Sequence, residues 1–131
     1  MDELEQIKYW LELAEYDLET AKAMLETKRL LYVGFMCHQT VEKTLKGYYV
    51  FIMKKSPAFT HRLTFFTDKT GLENELTDDQ KDFIDELEPL NIEARYPTYK
   101  EKLLRSLTRE RCHLIIEKTE EFVEWIEKKM R

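Results

Sequence analysis

The stretch LEQIKYWLELAEYDLETAKAML, residues 4–25, sets Leu4, Ile7, Leu11, Ala14, Leu18, Ala21 and Leu25 at alternating spacings of three and four. That period puts one apolar face on an α-helix, and its persistence predicts a long amphipathic helix ending near Lys28 or Arg29. Trp10, Asp17 and Met24 form a neighbouring stripe that widens the face for a second packing partner. Further along, Val33, Cys37, Val41, Leu45, Tyr48 and Ile52 repeat the period in a second long helix, which Lys54-Lys55-Ser56-Pro57 terminates. Thr60 is placed to cap a short third helix running to Thr70, with Gly71 in the left-handed position that closes it. Thr77 and Gln80 have the spacing of a capping box ahead of a fourth helix carrying Phe83, Ile84, Leu87 and Leu90. Pro89 and Pro97 bracket residues 90–96, and because residues before proline avoid helical geometry, this segment is predicted to be extended or irregular, with Arg95 and Tyr96 on a loop. Cys112, Ile115, Thr119, Phe122 and Ile126 mark a last long helix.

Composition agrees with that series. The 131 residues include only three Gly and three Pro, too few turn-formers for a sandwich of many short strands, while 43% hydrophobic and 36% charged residues suit amphipathic helices. The prediction is an all-α, up-and-down helical bundle of four to five helices forming a single domain over residues 1–131. A net charge of −5 argues against a surface that grips nucleic acid along its whole extent, since such binding needs dense cationic contacts with phosphate. Cys37 and Cys112 are isolated, with no CxxC spacing, so a reduced cytoplasmic setting is the expected location. The longest strongly apolar run, Tyr48 to Met53, is far too short to cross a bilayer, and neither export nor membrane insertion is expected.

Chemistry concentrates in the second helix. His38, Gln39, Glu42, Lys43 and Lys46 fall three or four residues apart along one side, a combination that lines a pocket for an anionic or heterocyclic ligand, or else forms a solvated, salt-bridged face. His38 and Glu42 have the spacing for a carboxylate to orient an imidazole. Tyr48, Tyr49, Tyr96 and Tyr99, with Arg95 and the helix lysines, are the flat surfaces and donors that a base plus a phosphate need; their plainer role is core packing. Glu110 and His113 make a single Glu-x-x-His pair, whereas a di-iron bundle requires two pairs and two more carboxylates, so no metal site is assigned. Gly-rich phosphate loops and serine elbows are absent, and no cofactor is expected. Both cysteines fall on apolar stripes, where thiols are packing residues.

Four blocks together carry a family resemblance: Trp10-Leu11 with Ala14 to Leu18 and Ala21; Phe35-Met36-Cys37-His38-Gln39-Thr40-Val41-Glu42-Lys43-Thr44-Leu45-Lys46-Gly47; Thr60-His61-Arg62-Leu63; and Ala94-Arg95-Tyr96-Pro97. In order and spacing the chain resembles the HEPN domain (higher eukaryotes and prokaryotes nucleotide-binding), of the stand-alone prokaryotic type. The resemblance implies a helical bundle that commonly dimerises and that is often encoded beside, or fused to, a minimal nucleotidyltransferase. Some members are RNA-cleaving toxins that use an Arg and a following His with four to six residues between them. Here Arg109 and His113 have three residues between them, Arg105 and His113 have seven, and Arg95 has no nearby His after it.

The leading expectation is therefore a non-catalytic, homodimeric HEPN protein that binds a nucleotide or a nucleotidyltransferase partner in a two-component, toxin-antitoxin-like system. Its candidate ligand-binding residues are His38, Gln39, Glu42, Lys43 and Lys46 on the helix, with His61, Arg62, Arg95 and Tyr96 approaching from loops. Lys43, Lys46 and Arg95 would hold phosphate, and Tyr96 would shape the pocket. Two rivals stay open: a divergent ribonuclease using His113 with Arg105 or Arg109, and a structural interaction bundle whose polar row ties helices together through Glu–Lys pairs.

Overall fold

The computed structural model describes the backbone of residues 1–91 and 97–131, and the side chains of all of these except 97–100. Helix α1 (Glu3–Glu26) begins at Asp2, whose carboxylate accepts the Glu5 N–H at 2.8 Å, and its first turn carries Glu3 and Glu5, favourable at the positive end of a helix dipole. Three residues later α2 (Leu30–Met53) starts. Both long helices end on a lysine in left-handed geometry, Lys28 at φ 61° and Lys54 at φ 60°, where glycine is the usual occupant.

The two helices are antiparallel. Glu3 pairs with Lys54, Trp10 with Lys46 and Asp17 with Lys43, so one number rises as the other falls. Gly47 permits their close approach: a Cβ there would lie 3.3 Å from Leu11 Cδ2 and 3.5 Å from Trp10 Cβ. Helix α6 (Arg109–Lys129), capped by the Thr108 hydroxyl on the Arg111 N–H, packs on α2 and also reaches α1, where Glu120 pairs with Lys22 at 3.3 Å. It sets Cys112 against the Leu30 carbonyl and Thr119 beside Cys37, numbers that rise together, so α6 runs parallel to α2.

Residues 54–108 carry the chain back to allow this. They hold α3 (Leu63–Lys69), a 3-10 turn at Leu72–Asn74, α4 (Asp78–Leu87), a second 3-10 turn at Glu88–Leu90 and α5 (Pro97–Ser106). The Thr77–Gln80 capping box forms as predicted, with both reciprocal bonds made at 2.9 and 3.1 Å, and Gly71 takes φ 78° behind α3. Thr60 does not cap α3. The helix starts later, its N-cap is Arg62, and Thr60 instead accepts the Arg62 N–H in a local turn. Helix α5 is an element that the sequence pattern did not place, and Pro97 opens it rather than ending the segment before it. Of the segment 90–96 expected to be extended or irregular, Leu90 closes the second 3-10 turn, Asn91 is extended, and 92–96 lie outside the described residues.

No strand occurs among the described residues, and six α-helices enclose a core built from Val33, Val41 and Leu45 of α2, Leu63 and Phe66 of α3, Leu87 of α4, and Ile115, Phe122 and Ile126 of α6. The all-α bundle read from the sequence is the fold found. Helix α2 is its axle: from Cys37 to Val50 every residue but Lys43 is buried. No helix among the described residues is long and apolar enough to cross a membrane.

Candidate functional site

Because α2 is surrounded on all sides, the polar row of the sequence lies inside the protein. Glu42, 1% exposed, is the hub. One carboxylate oxygen lies 2.9 Å from Lys46 Nζ, and the other lies 2.9 Å from His61 Nδ1 and 3.9 Å from His38 Nδ1. An ionised carboxylate only accepts, so His61 donates through Nδ1 and, when neutral, keeps Nε2 as an acceptor. The Gln39 amide nitrogen stands 3.3 Å from His38 Nδ1. Thus His38, Gln39, Glu42 and Lys46 from α2, and His61 from the segment before α3, form one cluster. A carboxylate and an ammonium buried together offset part of each other's desolvation cost, which neither would bear alone.

Lys43 points elsewhere. It is ion-paired with Asp17 of α1, a carboxylate only 6% exposed. Asp17 was not among the sequence candidates, although a carboxylate on a stripe shared with Trp10 and Met24 is itself a signal of a buried pair. Trp10 was missed in the same way. Its ring centre lies 5.0 Å from Lys46 Nζ, with the Phe66 ring at 6.0 Å, giving the ammonium an aromatic floor as well as a carboxylate partner.

Beside Lys46 opens a groove of about 350 Å³, walled by Tyr9 and Trp10 of α1 and by Ser56 to Phe59 after α2. Tyr9 and Trp10 meet edge to face at 5.2 Å, and the Ser56 hydroxyl donates to the Gln6 amide oxygen at 2.9 Å. The Phe59 ring is wholly exposed at the rim. Among the described residues of the sequence-derived set, Lys46 is the one that lines this groove. Arg62 is exposed, and its charge acts on Glu88. Arg95 and Tyr96 lie outside the described residues.

The remaining reactive groups have packing roles. Burial pushes the Cys37 thiol up to about 12 and also raises that of Cys112, so neither is a nucleophile in the folded chain. His113 is exposed and paired with Glu117 at 3.1 Å, with Arg105 and Arg109 also exposed nearby in sequence. Among the described residues no group of three or more His, Cys, Asp or Glu has the geometry to hold a metal ion.

The sequence profile of the HEPN domain matches residues 7–129. Two crystal structures share the fold. TT1696 from Thermus thermophilus aligns with a TM-score of 0.79 at 20% identity, over 95% of this chain and 98% of that one. ST0689, described as an archaeal HEPN homologue, aligns with a TM-score of 0.66 at 17% identity, again over 95% and 98%. No curated protein gives a significant match.

Proposed function

The chain belongs to the HEPN domain family, and from that premise we propose that it is a non-catalytic nucleotide-binding module whose ligand enters the groove between Tyr9, Trp10, Lys46 and Phe59. The observation that carries this reading is the position of Lys46, held between the Glu42 carboxylate and the Trp10 ring while lining an open groove of nucleobase size. His61, oriented by Glu42, supplies an acceptor from the same cluster, and His38 and Gln39 hold that cluster in place from within. Arg62, proposed from the sequence with Arg95 and Tyr96, does not line the groove. The module acts as a homodimer with a minimal nucleotidyltransferase as its partner, in a two-component, toxin-antitoxin-like arrangement. Half-exposed Tyr32, Leu104 and Leu114 supply apolar surface for such association.

Part of the polar row has a different role. The Asp17–Lys43 pair supports a scaffold function for Lys43, joining α1 to α2. Isothermal titration against a panel of ribonucleotides tests both statements. Binding of at least one nucleotide, lost in Trp10→Ala and kept in Lys43→Ala despite a lower melting temperature, is the expected result. An absence of heat with every member of the panel sinks the binding reading.

A further inference from the structure

Resting on that reading, we infer that the groove recognises the planar base of its ligand and leaves the phosphates in solvent. Lys46, among the described residues the one lysine, arginine or histidine whose side chain lines the groove, is already neutralised: its side chain is 9% exposed and bonded to Glu42 at 2.9 Å. Drawing it toward a phosphate would strip a buried carboxylate of its ammonium and leave it with the two imidazoles of His61 and His38. The neighbouring cation of the row is unavailable for the same reason, since Lys43 is held by Asp17. A polyphosphate is held by several uncompensated cations, and among the described residues the Met1 amino group is the one other cation lining this groove.

What the groove does present suits a flat heterocycle. Tyr9 and Trp10 make an aromatic corner, and Phe59, its ring wholly exposed, lines the same groove. A base stacked on that corner and covered by Phe59 would take apolar surface of both out of water. The Gln6 amide and the Ser56 hydroxyl, now bonded to each other, place donors and acceptors at the groove wall where the edge of a base can exchange for that bond.

The test is a titration of the intact protein with the four ribonucleosides and their 5′-mono- and triphosphates, at low and at high salt. For whichever base binds, affinity is expected to stay within a factor of about three from nucleoside to triphosphate and to be nearly insensitive to salt. Phe59→Ala, a change at a fully exposed ring that leaves folding intact, weakens every member of that series on the order of tenfold. Triphosphates binding at least tenfold tighter than nucleosides, with a steep salt dependence, overturn this inference and leave the nucleotide-binding reading standing. Binding that is indifferent to Phe59→Ala overturns the placement of the base. If nothing binds at all, the reading beneath it falls as well.

Discussion

Helix α2 buries its two sides by different physics. Toward α6 it is joined without a single ion pair among the described residues, through Cys37 beside Thr119 and a shared core with Ile115, Ile116 and Phe122. Toward α1 and the segment before α3 the same core continues through Leu18 and Ala21, and charge is added to it by Asp17–Lys43 and the Glu42–Lys46–His61 cluster. Apolar contact is nondirectional and tolerates small shifts, whereas a buried carboxylate is satisfied in one arrangement only. Apolar burial on both sides is then the source of stability, and the charges of the α1 side fix the register of α1 and the position of His61.

The largest effect expected from this contrast is at Glu42. Glu42→Ala leaves the buried Lys46 ammonium unpaired and should cost about 3–5 kcal/mol in urea unfolding. Adding Lys46→Met to Glu42→Leu removes both charges and should recover most of that loss, because an apolar pair of similar volume carries no desolvation cost. On the other seam, Ile115→Ala should cost about 3 kcal/mol, with no second substitution at a polar partner able to restore it. A Glu42/Lys46 double variant as unstable as the sum of its single variants would break the distinction between the seams.

The sequence exposes these seams unequally. Apolar periodicity marks α1, α2 and α6 because one stripe of each faces the core, and local chemistry marks Gly71 and the Thr77–Gln80 box because a turn and a cap depend on a few adjacent residues. Helix α5 escapes that reading. Its ten residues, PTYKEKLLRS, carry a scant apolar stripe, and Pro97 signals a stop as readily as a first turn. Thr60 is misread for a related reason: Glu88, twenty-four residues away, accepts the Thr64 N–H and serves the start of α3 from outside the local sequence. At the candidate site, helical spacing correctly puts His38, Glu42 and Lys46 on one side. Whether that side meets water or protein depends on Asp17, Trp10 and His61, partners that only the folded chain brings near.

Asp17 sharpens the comparison at smaller cost. Asp17→Asn keeps an acceptor toward Lys43 and removes the charge, and Lys43, whose side chain is 20% exposed, can turn partly to solvent. A loss of about 2 kcal/mol is expected, the range for a hydrogen bond to a charged group. Urea unfolding of Asp17→Asn, Lys43→Met and the pair gives the coupling directly. A coupling near zero would mean that α1 is placed by Leu11, Trp10 and Gly47 alone.

Glu88 supplies the smallest effect and the control for both seams, since it is a half-buried carboxylate with no ion pair among the described residues. Burial pushes its carboxyl up from 4.5, and nearby Asp85 adds to the rise, while the Thr64 and Leu63 N–H groups and the Arg62 charge draw it only partly back. A native value above the unfolded one means that the folded state holds the proton more tightly. The stabilisation is complete below about pH 4.5 and is lost as pH rises through the raised native value. Glu88→Gln keeps the oxygen that accepts the Thr64 N–H at 3.1 Å and does not titrate. Its melting temperature, measured against wild type from about pH 4 to about pH 8, should therefore gain on wild type as pH rises through that window and then run parallel to it. If wild type gains on the variant instead, the Arg62 charge outweighs burial, and Glu88 belongs with the charged seam after all.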